Sequence, residues 1–233
     1  MWKLIRLEWK KNDTKKYMIY QAIIIAVLGF LLFAMCFYIP IDAEMGMTDS
    51  VPEINDMAVQ IDLLTNLSFL IFTSVMLSSF IIKAYKNKTQ SLMFSYPISR
   101  KKIIFSQMMA VWIFCAAGLF FGKLFIYLLL ALTSMVKDGF LLGYDMTSVS
   151  FYIQTILKTV LTVTLGFLPL YIGKRMKSSK AAIISSFLLF SVMNGTIGDL
   201  TLRGNTILPV LLFIVSLICG FLTVHNVEKE DVM

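Results

Sequence analysis

The run IIFSQMMAVWIFCAAGLFFGKLFIYLLLALTSM, Ile103–Met135, contains one charged residue, Lys123. A stretch this apolar has no place in a soluble core, and about 20 such residues make a helix that crosses the hydrocarbon of a bilayer. The run is too long for one perpendicular crossing and too short for two. It must tilt, extend beyond the membrane, or break near Gly118 and Gly122. Five further runs flank it: Met18–Ile39, Leu63–Ile82, Ser148–Gly173, Ala181–Ile197 and Ile207–Val224. A membrane β-barrel would alternate apolar and polar residues over strands of about 10 residues. Continuous runs instead satisfy their backbone internally as helices. The fold class is therefore all-α integral membrane, with six transmembrane helices. The fifth run is short, and Asn194-Gly195-Thr196-Ile197-Gly198 weakens its end, which admits a broken or re-entrant segment packed against protein.

Composition agrees. Of the 233 residues, 58% are hydrophobic and 15% charged, and the mean hydropathy is +0.80. Soluble domains average about 45–50% apolar and about 25% charged. Orientation follows from where Lys and Arg fall, because they collect in cytoplasmic loops. With the N-terminus inside, residues 1–17, 83–102, 174–180 and 225–233 are cytoplasmic and carry 17 of the 21 basic residues. The outside loops hold Lys137 and Arg203, and Pro40–Asp62 holds six acids and no base. Both termini are thus expected in the cytoplasm of a multi-pass cell-membrane protein, N-in and C-in. The net charge of +7 is then a basic face against anionic headgroups, and no nucleic-acid partner is expected. Cys36, Cys115 and Cys219 lie in apolar runs and read as small buried apolar residues. No cleavable signal peptide is expected, since the first 17 residues are charged and no small-residue cleavage pattern follows the first run.

Three segments carry candidate function. In residues 1–17, Trp2, Ile5 and Trp9 share one helical face and Lys3, Arg6 and Lys10 form a stripe beside it. That is an amphipathic interfacial helix, either an anchor that sets topology or an elbow that also touches a cytoplasmic partner. In the loop Lys83–Lys102, Leu92, Met93, Phe94 and Tyr96 are too apolar to stand in water uncovered. Thr89–Ser95 can form a short helix that Pro97 ends, and Ser99 can cap the helix that follows. This segment either docks a partner or folds back on the membrane surface. Third, Lys123 and Lys158 fall within apolar runs, where a charge is costly. They either snorkel to the outer headgroups or line a passage for an acidic or amphipathic substrate. Thr155, Thr159, Thr162 and Gly166 share one face of the fourth run, a pattern that packs helices together.

An amphipathic N-terminal helix, six spans and a cytoplasmic segment ending Ser95-Tyr96-Pro97-Ile98-Ser99-Arg100-Lys101-Lys102 resemble the permease subunits of ABC-2-type ABC transporters. The small size is similar to Gram-positive bacterial permeases for antimicrobial-peptide immunity, peptide or bacteriocin export and drug efflux. The resemblance implies that Thr89–Tyr96 is a coupling helix, with Thr89, Leu92, Met93, Phe94 and Tyr96 meeting the ATPase and Pro97 and Arg100 forming its exit. It implies two separate ATPase subunits that carry ATP and Mg, a second permease copy or a related permease, and a substrate such as a peptide, antibiotic or lipid. It also implies a non-catalytic chain without cofactor or metal of its own. The long third run with Lys123 departs from the family's pattern. The chain contains no G-x-x-x-x-G-K-[ST], no HExxH and no GxSxG, and its one histidine, His225, stands near the end. Other classes consistent with the sequence are an intramembrane enzyme or processing factor acting on lipid or peptide, and a membrane scaffold or sensor subunit.

Overall fold

Hydropathy marks where helices cross; capping, proline and ion pairing decide where they end. The computed structural model describes residues 2–38, 57–82, 100–134, 147–194, 196–197, 200–201 and 207–225. Helix α1 is Trp2–Lys11 and α2 is Thr14–Tyr38. Helix α3, Met57–Leu77, continues as a π-helical segment, Ser78–Ile82. Then come α4 (Arg100–Ser134), α5 (Val149–Leu165), α6 (Phe167–Arg175), α7 (Ser179–Asn194) and α8 (Ile207–His225). Between α7 and α8, β1 (Thr196–Ile197) and β2 (Leu200–Thr201) pair antiparallel, with Thr196 opposite Thr201 and Ile197 opposite Leu200.

Five helical segments are long and apolar enough to cross a membrane: Thr14–Met35, Ala58–Ile82, Lys101–Thr133, Val149–Arg175 and Leu208–His225. The apolar helix α7 is shorter, at 16 residues. Large side chains such as Phe30, Phe121, Ile184 and Phe221 stand exposed along these helices. Water would not tolerate that much bare apolar surface, and lipid does. The described residues are apolar helices of the multi-pass membrane type.

The helix ends differ from the hydropathic runs in instructive places. The third run is a single 35-residue helix, α4, with no break at Gly118. That glycine makes room for a neighbour instead: a Cβ there would fall 1.3 Å from Nε2 of Gln21. The fourth run does break, between α5 and α6. Pro169 has no N–H to offer the Leu165 carbonyl, and its ring crowds that carbonyl, so the helix turns at Gly166. The Gly166 N–H bonds the Val163 carbonyl at 3.1 Å instead, a tighter turn. The fifth run stops at Asn194, where the glycine-rich sequence weakens it, and the hairpin follows. The helix of the second run, α3, starts at Met57 rather than Leu63, which brings Asp62 into helix.

The described residues form two compact units. The first draws on Met1–Thr14, Phe69–Ala116 and Val160–Met233. Here α6 packs on α7, α8 and the π-helical segment. Small residues allow the approach: a Cβ on Gly173 would lie 2.6 Å from Ala182 Cβ and 2.8 Å from Ile82 Cδ1. Helices pack in lipid through such small contacts, because hydrocarbon gives them no hydrophobic drive. Hydroxyls add to this, with Trp112 Nε1 donating to Thr164 Oγ1 at 3.1 Å and Ser216 donating to the Thr164 carbonyl. The turn from α6 to α7 is a Schellman closure. Lys177 takes a left-handed φ of 50°, its N–H bonds the Lys174 carbonyl at 3.1 Å, and the Ser178 N–H bonds the Gly173 carbonyl at 3.0 Å. The second unit draws on Lys15–Ser68 and Ala117–Thr159. Its core is Leu28, Leu32, Ile61, Ile126, Tyr127 and Leu130.

The α6–α7 contact predicts a compensating pair. Gly173→Ala overpacks the contact and is expected to cost about 1–3 kcal/mol. Adding Ala182→Gly should restore much of the loss, as read from detergent–SDS unfolding of the single and double variants. Equal destabilisation in the double variant would contradict this packing.

Candidate functional site

The second unit places its three membrane-embedded charges together. Helix α3 contributes Asp62, α4 contributes Lys123, and α5 contributes Lys158. Lys123 Nζ donates to Asp62 Oδ1 at 2.7 Å, and Lys158 Nζ donates to Asp62 Oδ2. The Tyr127 hydroxyl reaches Asp62 Oδ1 at 3.4 Å, a long and weak contact. One carboxylate thus binds two ammonium groups, one on each oxygen. The environments are graded: the Lys123 side chain is 0% exposed, Asp62 16% and Lys158 50%. Tyr127 stands beside Lys123 in the core, and its ring meets Phe151 edge-on at a centroid distance of 4.9 Å.

Helical phase explains the convergence. Asp62 follows the buried Ile61, and Thr65 one turn later bonds back to the Ile61 carbonyl at 2.6 Å. The inward face of α3 therefore continues upstream of the purely apolar run. Lys123, Ile126, Tyr127 and Leu130 repeat at three- and four-residue spacing on the buried face of α4. Along that helix Lys123 stands about 32 Å from Lys102 at 1.5 Å per residue. That is about the thickness of the hydrocarbon layer, so the charge lies in the last third of α4, well away from its basic start.

Sequence reasoning singled out both lysines and missed Asp62, which it left as the last residue of an outer loop. A signal was present: two lysines inside apolar runs call for an acid, and Asp62 adjoins the second run. Among the described residues no group of three His, Cys, Asp or Glu is placed to hold a metal ion. The threonine face packs as its spacing suggests. Thr155, Thr159 and Thr162 are buried, the Thr155 and Thr159 hydroxyls bond back to carbonyls one turn earlier at 2.8 and 2.7 Å, and a Cβ on Gly166 would meet Thr73 Cγ2 at 2.8 Å.

A second polar contact fixes the N-terminal helix in the first unit. Trp9 Nε1 donates to the Ala110 carbonyl of α4 at 3.0 Å. Glu8 is buried, and its carboxylate accepts from Gln107 Nε2 at 3.3 Å and Asn12 Nδ2 at 3.1 Å. Ile5 is buried, Trp2 is exposed with its ring edge-on to Trp9 at 6.2 Å, and Lys3, Arg6 and Lys10 are exposed. The amphipathic reading of α1 named neither Glu8 nor its contacts on α4. Glu8 shares the face of Ile5 by spacing, which was the available signal. The loop residues Thr89, Leu92, Met93, Phe94, Tyr96 and Pro97 lie outside the described residues, and Arg100 is the first residue of α4.

The chain is similar to YcbO, an uncharacterized protein of Bacillus subtilis (strain 168), with 28% identity over 174 residues, covering 70% of this chain and 72% of the relative. No family model and no solved structure matches it.

The ion pair predicts a double-mutant signature. Asp62→Asn leaves Lys123 buried without a carboxylate and is expected to cost about 3–5 kcal/mol. Asp62→Asn with Lys123→Met should recover most of that loss. Detergent–SDS unfolding midpoints check it, and additive losses would refute a buried Asp62–Lys123 pair.

Proposed function

We propose that this chain is the permease subunit of an ATP-driven exporter of the ABC-2 type. In this reading it sits in the cell membrane with six crossings, α7 being the fifth, and with both termini in the cytoplasm. It hydrolyses no ATP itself. Two partner ATPases, each with ATP and Mg, dock on the segment before α4, and a second copy or a related permease completes the pathway. The substrate is an amphipathic molecule such as a peptide, antibiotic or lipid.

The observation that carries the reading is the sequence Ser95-Tyr96-Pro97-Ile98-Ser99-Arg100, which leads directly into α4. The contacts of α1 support it. Gln107 and Ala110, which hold Glu8 and Trp9, lie about 10–15 Å along α4 from Arg100 at 1.5 Å per residue. A push delivered at Arg100 would reach α1 and α4 together. Nucleotide would then shift the bundle between two conformers by binding one of them better.

The test is purification of the tagged chain from its native membrane in mild detergent, followed by ATPase assay. A P-loop ATPase should co-purify and hydrolyse ATP. Phe94→Asp or Tyr96→Asp should abolish coupled hydrolysis while the chain still inserts. Retained hydrolysis in both variants would remove the coupling assignment, and a chain that elutes without an ATPase across several detergents would remove the exporter reading.

A further inference from the structure

The exposed side of the charge cluster has a feature that helix packing does not need. Ser150, Gln154 and Lys158 recur every four residues on α5 and are all exposed. They form a polar stripe about 12 Å long at 1.5 Å per residue. Gln154 Nε2 reaches Ser150 Oγ at 3.4 Å. The stripe runs beside exposed Ile153, Ile156 and Leu157, at 53%, 47% and 58%. It begins at the N-terminal turn of α5 and ends at the half-exposed ammonium of Lys158, which lies on Asp62.

We propose that Lys158, backed by Asp62 and Lys123, is a binding site for the phosphate or carboxylate of an anionic amphiphile. The apolar flanks suit acyl chains or apolar side chains, and the polar stripe suits the head that travels with them. Asp62 is shared between two ammonium groups. A ligand anion on Lys158 gives each ammonium its own anion, and the deeper Lys123–Asp62 pair stays closed. A charge-assisted bond to phosphate is one of the stronger polar contacts, so an arriving anion replaces the Lys158 contact with Asp62 by one of like kind. The assignment does not depend on the exporter reading, because it concerns binding by this chain alone.

The experiment uses the full chain in mild detergent and measures lipid retention by native mass spectrometry. The protein is offered equal phosphatidylglycerol and phosphatidylcholine, with and without inorganic phosphate, and unfolding midpoints are taken in parallel. Wild type should retain phosphatidylglycerol several-fold over phosphatidylcholine. Lys158→Met should lose that preference at an unchanged midpoint, and Lys158→Arg should keep it. Preference that survives inorganic phosphate identifies a lipid headgroup as the anion. Lys158-dependent stabilisation by inorganic phosphate, with no lipid preference, identifies a free anion at the same site. A preference equal in wild type and Lys158→Met, or no response of wild type to either probe, overturns the proposal.

Discussion

An ammonium group buried among helices in lipid must have an acceptor within reach, and for Lys123 that acceptor is the Asp62 carboxylate at 2.7 Å. The second unit is arranged around this requirement. Helix α3 must begin early enough to present Asp62, and it starts at Met57. Helix α4 must run unbroken past Gly118 to present Lys123 on the same face as Ile126 and Leu130. The same unit has an apolar core of Leu28, Leu32, Ile61, Ile126, Tyr127 and Leu130, to which Ile61 next to Asp62 belongs. Lys158 on α5 adds a third helix to the same carboxylate.

The first unit meets the same solvent with a different device. Around α6 and α8 its contacts run through residues that are small or that satisfy their own hydroxyls. Ser185 bonds the Ala182 carbonyl at 2.9 Å, Thr223 bonds the Cys219 carbonyl at 2.8 Å, and Gly220 lets Phe167 approach to 3.2 Å of where its Cβ would stand. A buried cation appears here too, and it meets backbone: Lys174 Nζ donates to the Thr223 carbonyl of α8 at 3.2 Å. That carbonyl is in the last turn of the helix, where cations are favoured by the macrodipole.

The helices were legible because lipid permits few backbone solutions. Runs of apolar residues therefore give element type with little ambiguity, and the bounds of α2 and α8 fall within a few residues of their runs. Hydropathy failed where a polar residue belongs to a helix for a tertiary reason. Asp62 looked like loop because it is an acid, and only its partners on α4 and α5 make it a helical residue. Glu8 was passed over in the amphipathic reading of α1, and its bonds with Gln107 and Asn12 make it an inward residue. The π-helical turn at Ser78–Ile82 and the break at Gly166 rest on local hydrogen bonding that composition does not encode, although Pro169 was in plain view for the second. The candidate site was half legible: both lysines stand out in their runs, and the acid that unites them does not.

Magnitudes argue that the charge cluster is more than a fastener. Opposite unit charges 2.7 Å apart attract by roughly 6 kcal/mol at an effective dielectric constant of about 20. Removing the two groups from water costs several kcal/mol for each ion. The two terms nearly cancel. Leucine or methionine of similar volume at positions 62 and 123 would hold α3 to α4 as well or better, as replacements of buried ion pairs show. Lys158 differs from Lys123 in that its ammonium reaches the same carboxylate while its side chain stays half exposed. A half-exposed cation at the end of a polar stripe on α5 is placed where an anion from outside the chain could meet it.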